Sequence, residues 1–194
     1  FTERPGPPLA VVLREDLDGD GTVETITARR QRVVVQKSNG TTIANFAPFG
    51  VRYRSTVSIA VGDLDGDGYR EIVAGGGPKA LPRVGIFGST GKQLSPGFLA
   101  YPKRFRGGVS VAVGDVDGNG TGEIIVGAGS GGGPQVSIFT PEGSVRKRFF
   151  AYSKAFHGGV HVAAGDLTGD GIAEIVTVPG AGVPAYVRML NKKG

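Results

Sequence analysis

Apolar residues in this chain come in short runs that recur with the same neighbours. In one stretch Val109, Val111 and Val113 alternate with the small Ser110 and Ala112. Further runs at 123–126, 135–139 and 145–151 follow, rich in Val, Ile and Phe, and Gly, Pro or Asp bounds each of them. Such runs predict strands. No segment sustains the 3.6-residue period of an amphipathic helix.

The runs belong to a repeat. VSIAVGDLDGDG at 57–68 matches VSVAVGDVDGNG at 109–120 and VHVAAGDLTGDG at 160–171, and FLAYPKRFRGG at 98–108 matches FFAYSKAFHGG at 149–159. A nine-residue acidic loop opens at Asp16, Asp63, Asp115 and Asp166, spacings of 47, 52 and 51. A period near 50 indicates a repeat architecture. Each unit parses into four strands, A to D, with the acidic loop between A and B. The expectation is an all-β, propeller-type array of four-stranded antiparallel blades, with small strand-A residues where the sheets converge on an axis. The blades fall at about 9–50, 57–104, 109–156 and 160–194, the last incomplete. A blade cannot bury both faces alone, so neighbours stack. A row of independent β-modules is the other arrangement, although no linker separates the units. Phe1 aligns near the end of a D strand, and Pro5, Pro7 and Pro8 cannot donate ladder hydrogen bonds. The four units therefore read as an arc of a larger propeller, with an unpaired edge near Tyr186–Leu190 that further blades or another chain would complete.

Composition narrows the picture. The chain has 194 residues, 35 glycines and no cysteine. The glycines follow no collagen period, and without cysteine there is neither a disulfide framework nor a thiolate metal site. No apolar run approaches the length of a membrane span, and the opening FTERPGPP reads as a mature or trimmed start. The net charge of +5 hides a division: fourteen of the seventeen acidic residues lie inside the four loops, leaving Glu3, Glu15 and Glu142 outside. The remainder is strongly basic, which suits either general solubility or an acidic partner.

Carboxylates packed so densely repel one another, and oxygen ligands on alternate residues with glycines between them suit a hard ion, Ca2+ first. With loop positions numbered one to nine, side chains at one, three and five converge, the carbonyl of seven faces the same centre, and the Glu at nine closes the shell. The candidate ligands are Asp16, Asp18, Asp20, Thr22 and Glu24; Asp63, Asp65, Asp67, Tyr69 and Glu71; Asp115, Asp117, Asn119, Thr121 and Glu123; and Asp166, Thr168, Asp170, Ile172 and Glu174. Asn119 supplies a neutral oxygen and Thr168 a weak one, so of up to four Ca2+ sites the fourth is expected to be weakest. The alternative is that Asp-Gly runs simply make hairpin turns; four loops in register favour the ion.

The succession of strand, DxDGDGxxE loop, strand and GAGxGGGP resembles the FG-GAP/VCBS repeat family, the calcium-binding propeller repeats of integrin alpha chains and many bacterial surface proteins. That resemblance covers nearly the whole chain. It implies a propeller, Ca2+ and an extracellular or cell-surface setting, where weak sites suffice because calcium is millimolar.

Other features are less telling. The Gly-rich segments at 75–78, 127–134 and 179–184 read as turns, with anion binding through backbone amides as the alternative. The D–A connections gather Phe49, Arg52, Tyr53 and Arg54, then Tyr101, Lys103, Arg104, Phe105 and Arg106, then Tyr152, Lys154, Phe156 and His157, at the end opposite the acidic loops. Such a surface could bind acidic sugars, or its aromatics could pack on the next blade. His157 stands where the previous unit has Arg106, and His161 where earlier units have Ser58 and Ser110. No nucleophile–base pair emerges, and no nucleic-acid motif. The expected function is a non-catalytic, Ca2+-stabilised binding or structural module for adhesion or protein–protein interaction. A lectin for acidic polysaccharide and part of a polysaccharide-cleaving enzyme are the alternatives.

Overall fold

A computed structural model describes residues 11–184 and 186–191, which contain no α-helix and hence no helix able to cross a membrane. Four antiparallel sheets follow one another along the chain. The first comprises β1 (Val11–Glu15), β2 (Glu24–Arg29), β3 (Arg32–Gln36) and β4 (Thr42–Phe46). The second comprises β5 (Val57–Gly62), β6 (Glu71–Gly76), β7 (Arg83–Phe87) and the two-residue β8 (Phe98–Leu99). The third comprises β9 (Val109–Gly114), β10 (Glu123–Ala128), β11 (Gln135–Phe139) and β12 (Val145–Phe150). The fourth has three described strands, β13 (Val160–Gly165), β14 (Glu174–Pro179) and β15 (Arg188–Leu190).

Every sheet is a meander in which neighbours in sequence pair in space. In each, the Glu that ends the acidic loop stands opposite the last residue of strand A: Glu24 opposite Glu15, Glu71 opposite Gly62, Glu123 opposite Gly114 and Glu174 opposite Gly165. The acidic loop is thus the connection of the A–B hairpin. Strands β6 and β10 are buried along their whole length, so both faces of the middle sheets are covered. Side chains alternate between faces, and the core divides accordingly. Ile124 and Val126 join Val73, Val84 and Val111 between the second and third sheets, whereas Ile125 joins Val136, Val160 and Ile175 between the third and fourth. A further cluster, with Ile26, Val33, Ile59 and Ile72, lies between the first and second. The sheets pack as blades, with the A strands β5, β9 and β13 successive neighbours.

A tyrosine from each D–A connection fastens one sheet to the next. The Tyr101 hydroxyl donates to the carbonyls of Val126 (2.9 Å) and Gln135 (3.0 Å), and that of Tyr152 to Thr177 (2.8 Å) and Tyr186 (3.2 Å). The Tyr53 oxygen accepts from the Gly77 amide at 2.7 Å. Phe105 and Phe156 form T-shaped ring pairs with Tyr101 and Tyr152. The aromatics of these connections therefore face inward, while Arg52, Arg54, Lys103, Arg104, Arg106, Lys154 and His157 are exposed.

The Gly-rich segments begin inside strand B, because β6 runs to Gly76 and β10 to Ala128. Some glycines permit a close approach between sheets. A Cβ on Gly62 would lie 2.4 Å from Val113 Cγ1, and one on Gly114 would lie 2.8 Å from Ala173 Cβ, but the equivalent Gly165 has nothing within 4 Å. Gly62→Ala and Gly114→Ala are therefore expected to cost about 1–3 kcal/mol through overpacking, and Gly165→Ala to stay within about 0.5 kcal/mol of wild type. Urea midpoints measure this. Equal losses at all three positions would show that room for the neighbouring sheet is not what the glycine supplies.

Candidate metal centre

Each acidic loop is wound around its first aspartate. Asp63 accepts the amide of Gly66 through Oδ1 (2.7 Å) and that of Gly68 through Oδ2 (2.9 Å), and Asp16, Asp115 and Asp166 repeat the pattern. The glycines at positions four and six make it possible: Gly118 and Gly120 have φ of 78° and 89°, values cheap only without a Cβ. The closing glutamate then ties the loop's end to its start. Glu71 Oε2 accepts the amide of Leu64 at 2.9 Å, with equivalent bonds from Leu17 to Glu24, Val116 to Glu123 and Leu167 to Glu174.

This winding brings positions one, three and nine together. Carboxylate oxygens of Asp16, Asp18 and Glu24 lie within 4.8 Å of one another, as do those of Asp63, Asp65 and Glu71 and those of Asp115, Asp117 and Glu123. Oxygens about 2.4 Å from a shared centre, the Ca2+ distance, are at most about 4.8 Å apart, so the donor set fits that ion. Position five is placed differently. Asp20, Asp67, Asn119 and Asp170 each turn Oδ1 to the amide of position seven, at 2.8–2.9 Å from Thr22, Tyr69, Thr121 and Ile172. In the fourth loop Thr168 and Asp170 are exposed, and the three gathered triads belong to the other loops.

The electrostatics match. Burial pushes the Glu71 and Glu123 carboxyls up from their ordinary range, and neighbouring aspartates, Asp65 and Asp117 foremost, add to it. Burial also acts upward on Asp115, but the amides of Gly120, Gly118 and Asn119 together outweigh it and lower its carboxyl. Thr22, through its hydroxyl and its amide, holds Asp20 down at about 2, with help from Lys37.

Two counter-charges were not evident from loop spacing, because they come from other strands of the same sheet. Lys37, just after β3, lies 3.1 Å from Asp20. Arg146, on β12, pairs with Asp117 and lies 3.4 Å from Glu123. Among the described residues no such counter-charge stands at loop two; Arg70 instead faces Glu15 at 3.7 Å.

Two stretches match family models: residues 16–74 match the FG-GAP-like repeat and residues 107–143 the FG-GAP repeat. The chain resembles the rhamnogalacturonan lyase PL11 of Bacillus licheniformis at a TM-score of 0.63 and 19% identity, over 89% of this chain and 40% of that one. It resembles rhamnogalacturonan lyase YesW at 0.59 and 19%, over 91% and 42%. It resembles BBS1N in complex with ARL6DN at 0.58 and 14%, over 94% and 48%. At these identities the likeness shows the fold. The chain spans between 40% and 48% of the lengths of these three structures. No curated protein matches it significantly.

Removing Arg146 should strengthen cation binding at loop three. Arg146→Gln is expected to tighten it about tenfold, which corresponds to about 1.4 kcal/mol, and to leave loop two unchanged. Calcium calorimetry of wild type and variant measures this; weaker binding in the variant would mean that Arg146 organises the site instead of competing for it.

Proposed function

We propose that this chain, which carries FG-GAP repeats, is a non-catalytic module of an extracellular or cell-surface protein, stabilised by Ca2+ and built to hold a protein partner. The observation that carries the reading is the set of three acidic triads, each with a closing glutamate at no more than 7% exposure. Isolated buried carboxylates are costly, and a divalent cation held by the triad supplies the missing positive charge. In this reading the candidate ligands of all four loops, including the carbonyls of Thr22, Tyr69, Thr121 and Ile172, serve that ion. Modest affinity suffices where calcium is millimolar. Apolar residues exposed on β1 (Val11, Val12) and around β15 (Tyr186, Val187, Met189) support additional blades, or another chain, packing at both ends of the array.

A second reading, recognition of acidic glycans, is favoured by the distribution of charge. Among the described residues every carboxylate lies in an acidic loop or at the same end of the blades, Glu15 preceding loop one and Glu142 lying in a C–D turn. The opposite end carries the exposed cations of the D–A connections together with Arg30 and Lys79. It also holds a cavity of ≈ 510 Å3 between the blades, lined by Arg30, Ser58, Gly77, Gly107, Ser130 and Gly158 among others. A glycan array with uronic-acid oligosaccharides separates the readings, and release of new reducing ends from such polymers would reveal a cleaving enzyme.

Calcium should stabilise the fold. Binding to the native state alone adds about 2.7 kcal/mol per site at a hundredfold excess over Kd, so chelation is expected to lower the melting temperature by at least about 5 °C for a chain of this size. Asp65→Ala should reduce that response. A melting curve indifferent to EDTA would rule out metal-dependent folding.

A further inference from the structure

The acidic loops are not independent of one another. The amide of Arg70, at position eight of loop two, donates to the carbonyl of Leu17 in loop one at 3.1 Å. Likewise Gly122 of loop three donates to the Asp63 carbonyl at 2.8 Å, and Ala173 of loop four to the Asp115 carbonyl at 2.7 Å. The residue at position seven then leans over the preceding loop's first glycine. Tyr69 Cε1 is 4.0 Å from where a Cβ on Gly19 would sit, Thr121 Cγ2 is 3.4 Å from that of Gly66, and Ile172 Cδ1 is 3.3 Å from that of Gly118.

The effect of this cover is visible in burial. Position two is 1%, 4% and 2% exposed in Leu17, Leu64 and Val116, each of which has a loop after it, but 60% exposed in Leu167, which among the described residues does not. The closing glutamate follows the same division: Glu24, Glu71 and Glu123 are buried and Glu174 is not. The hydrogen bond from position two to the glutamate is present in all four loops, so the difference arises from the next blade and not from the loop's own winding.

We infer that each cation site is completed by the blade that follows it. One loop provides the oxygens. The next provides an apolar cover through position seven and a hydrogen bond that fixes the backbone at position one or two. Excluding water strengthens the attraction between carboxylates and cation, and fixing the loop beforehand lowers the ordering cost of binding. Thr121 and Ile172 are therefore affinity-determining residues for loops two and three respectively, although by sequence they belong to loops three and four. The inference rests on the Ca2+ reading above.

Each loop carries its own reporter, because the position-six amides of Gly21, Gly68, Gly120 and Gly171 bond to the first aspartate of their own loop. In a calcium titration followed by the 15N–1H resonances of these glycines, Ile172→Ser is expected to raise the midpoint at Gly120, which belongs to the preceding loop, at least fivefold. Ile172→Val should restore the Gly120 midpoint. Thr121→Ser keeps the hydroxyl bonded to Asn119 and removes only the covering methyl, so it should raise the midpoint at Gly68 and remains informative if Ile172→Ser misfolds. If each variant moves only its own loop's glycine, or none, the shared-site inference is wrong while the Ca2+ reading stands. If no glycine responds to calcium in the wild type, the Ca2+ reading itself fails and takes the inference with it.

Discussion

The glutamate at the end of each acidic loop is where hairpin, acidic cluster and inter-sheet packing meet. Its Oε2 accepts the amide of the loop's second residue at 2.9–3.1 Å in all four units, and it stands opposite the end of strand A. In three units it is almost inaccessible to water. A hydrogen bond to a charged group contributes about 1.5–3 kcal/mol, whereas burying a carboxylate costs several kcal/mol even after relaxation. Glu123 has the Arg146 guanidinium 3.4 Å away as well, but at Glu71 one amide cannot offset that. The charge must be met by a proton or a cation, and the upward displacement of Glu71 and Glu123 is the same imbalance seen from the side of the proton. The neighbouring Asp of positions one and three make the cation the stronger answer, since they too gain from it.

The same constraint organises the packing. A loop that holds its closing glutamate out of water needs a roof, and in the first three units the adjacent sheet provides one. This asks the sheets to come close. Gly62 and Gly114 let the neighbour approach to a distance that a methyl group would obstruct, and the tyrosines of the D–A connections hold the opposite end together by hydrogen bonds to the next sheet's backbone, Tyr101 and Tyr152 donating and Tyr53 accepting. A blade is thus pinned at both ends, by a tyrosine hydroxyl at one and by loop-to-loop amides at the other, with the Val and Ile clusters between.

Much of this was legible in the sequence because it is local. The four loops, the strands on either side of them and the meander order follow from the alternation of Val with small residues, from Asp-Gly turns and from the period near 50. In the third unit the expected strand at 135–139 coincides with β11, and the other three differ by one or two residues at an end. Positions one, three and nine of the first three loops come together as their spacing implied, while position five turns to cap the amide of position seven. What spacing could not reveal lies between strands and between blades. Arg146 and Lys37 reach their carboxylates from β12 and from the end of β3, and no local pattern distinguishes them from other surface cations. The Gly-rich segments looked like plain turns, yet Gly75, Gly76 and Gly127 are strand residues, because closeness to a neighbouring sheet is a property of the assembled blades. The aromatic and basic D–A connections allowed two readings from sequence, and their geometry divides them: rings inward, charges outward.

The segregation of the described carboxylates to one end gives the molecule an electrical polarity that its modest net charge conceals. Near a negatively charged layer the chain experiences a torque. Within about 8 Å at physiological salt that torque swings the end bearing Arg52, Lys103 and Lys154 toward the layer before any atom touches it. The acidic loops are then left facing bulk solvent. This alignment weakens as salt rises.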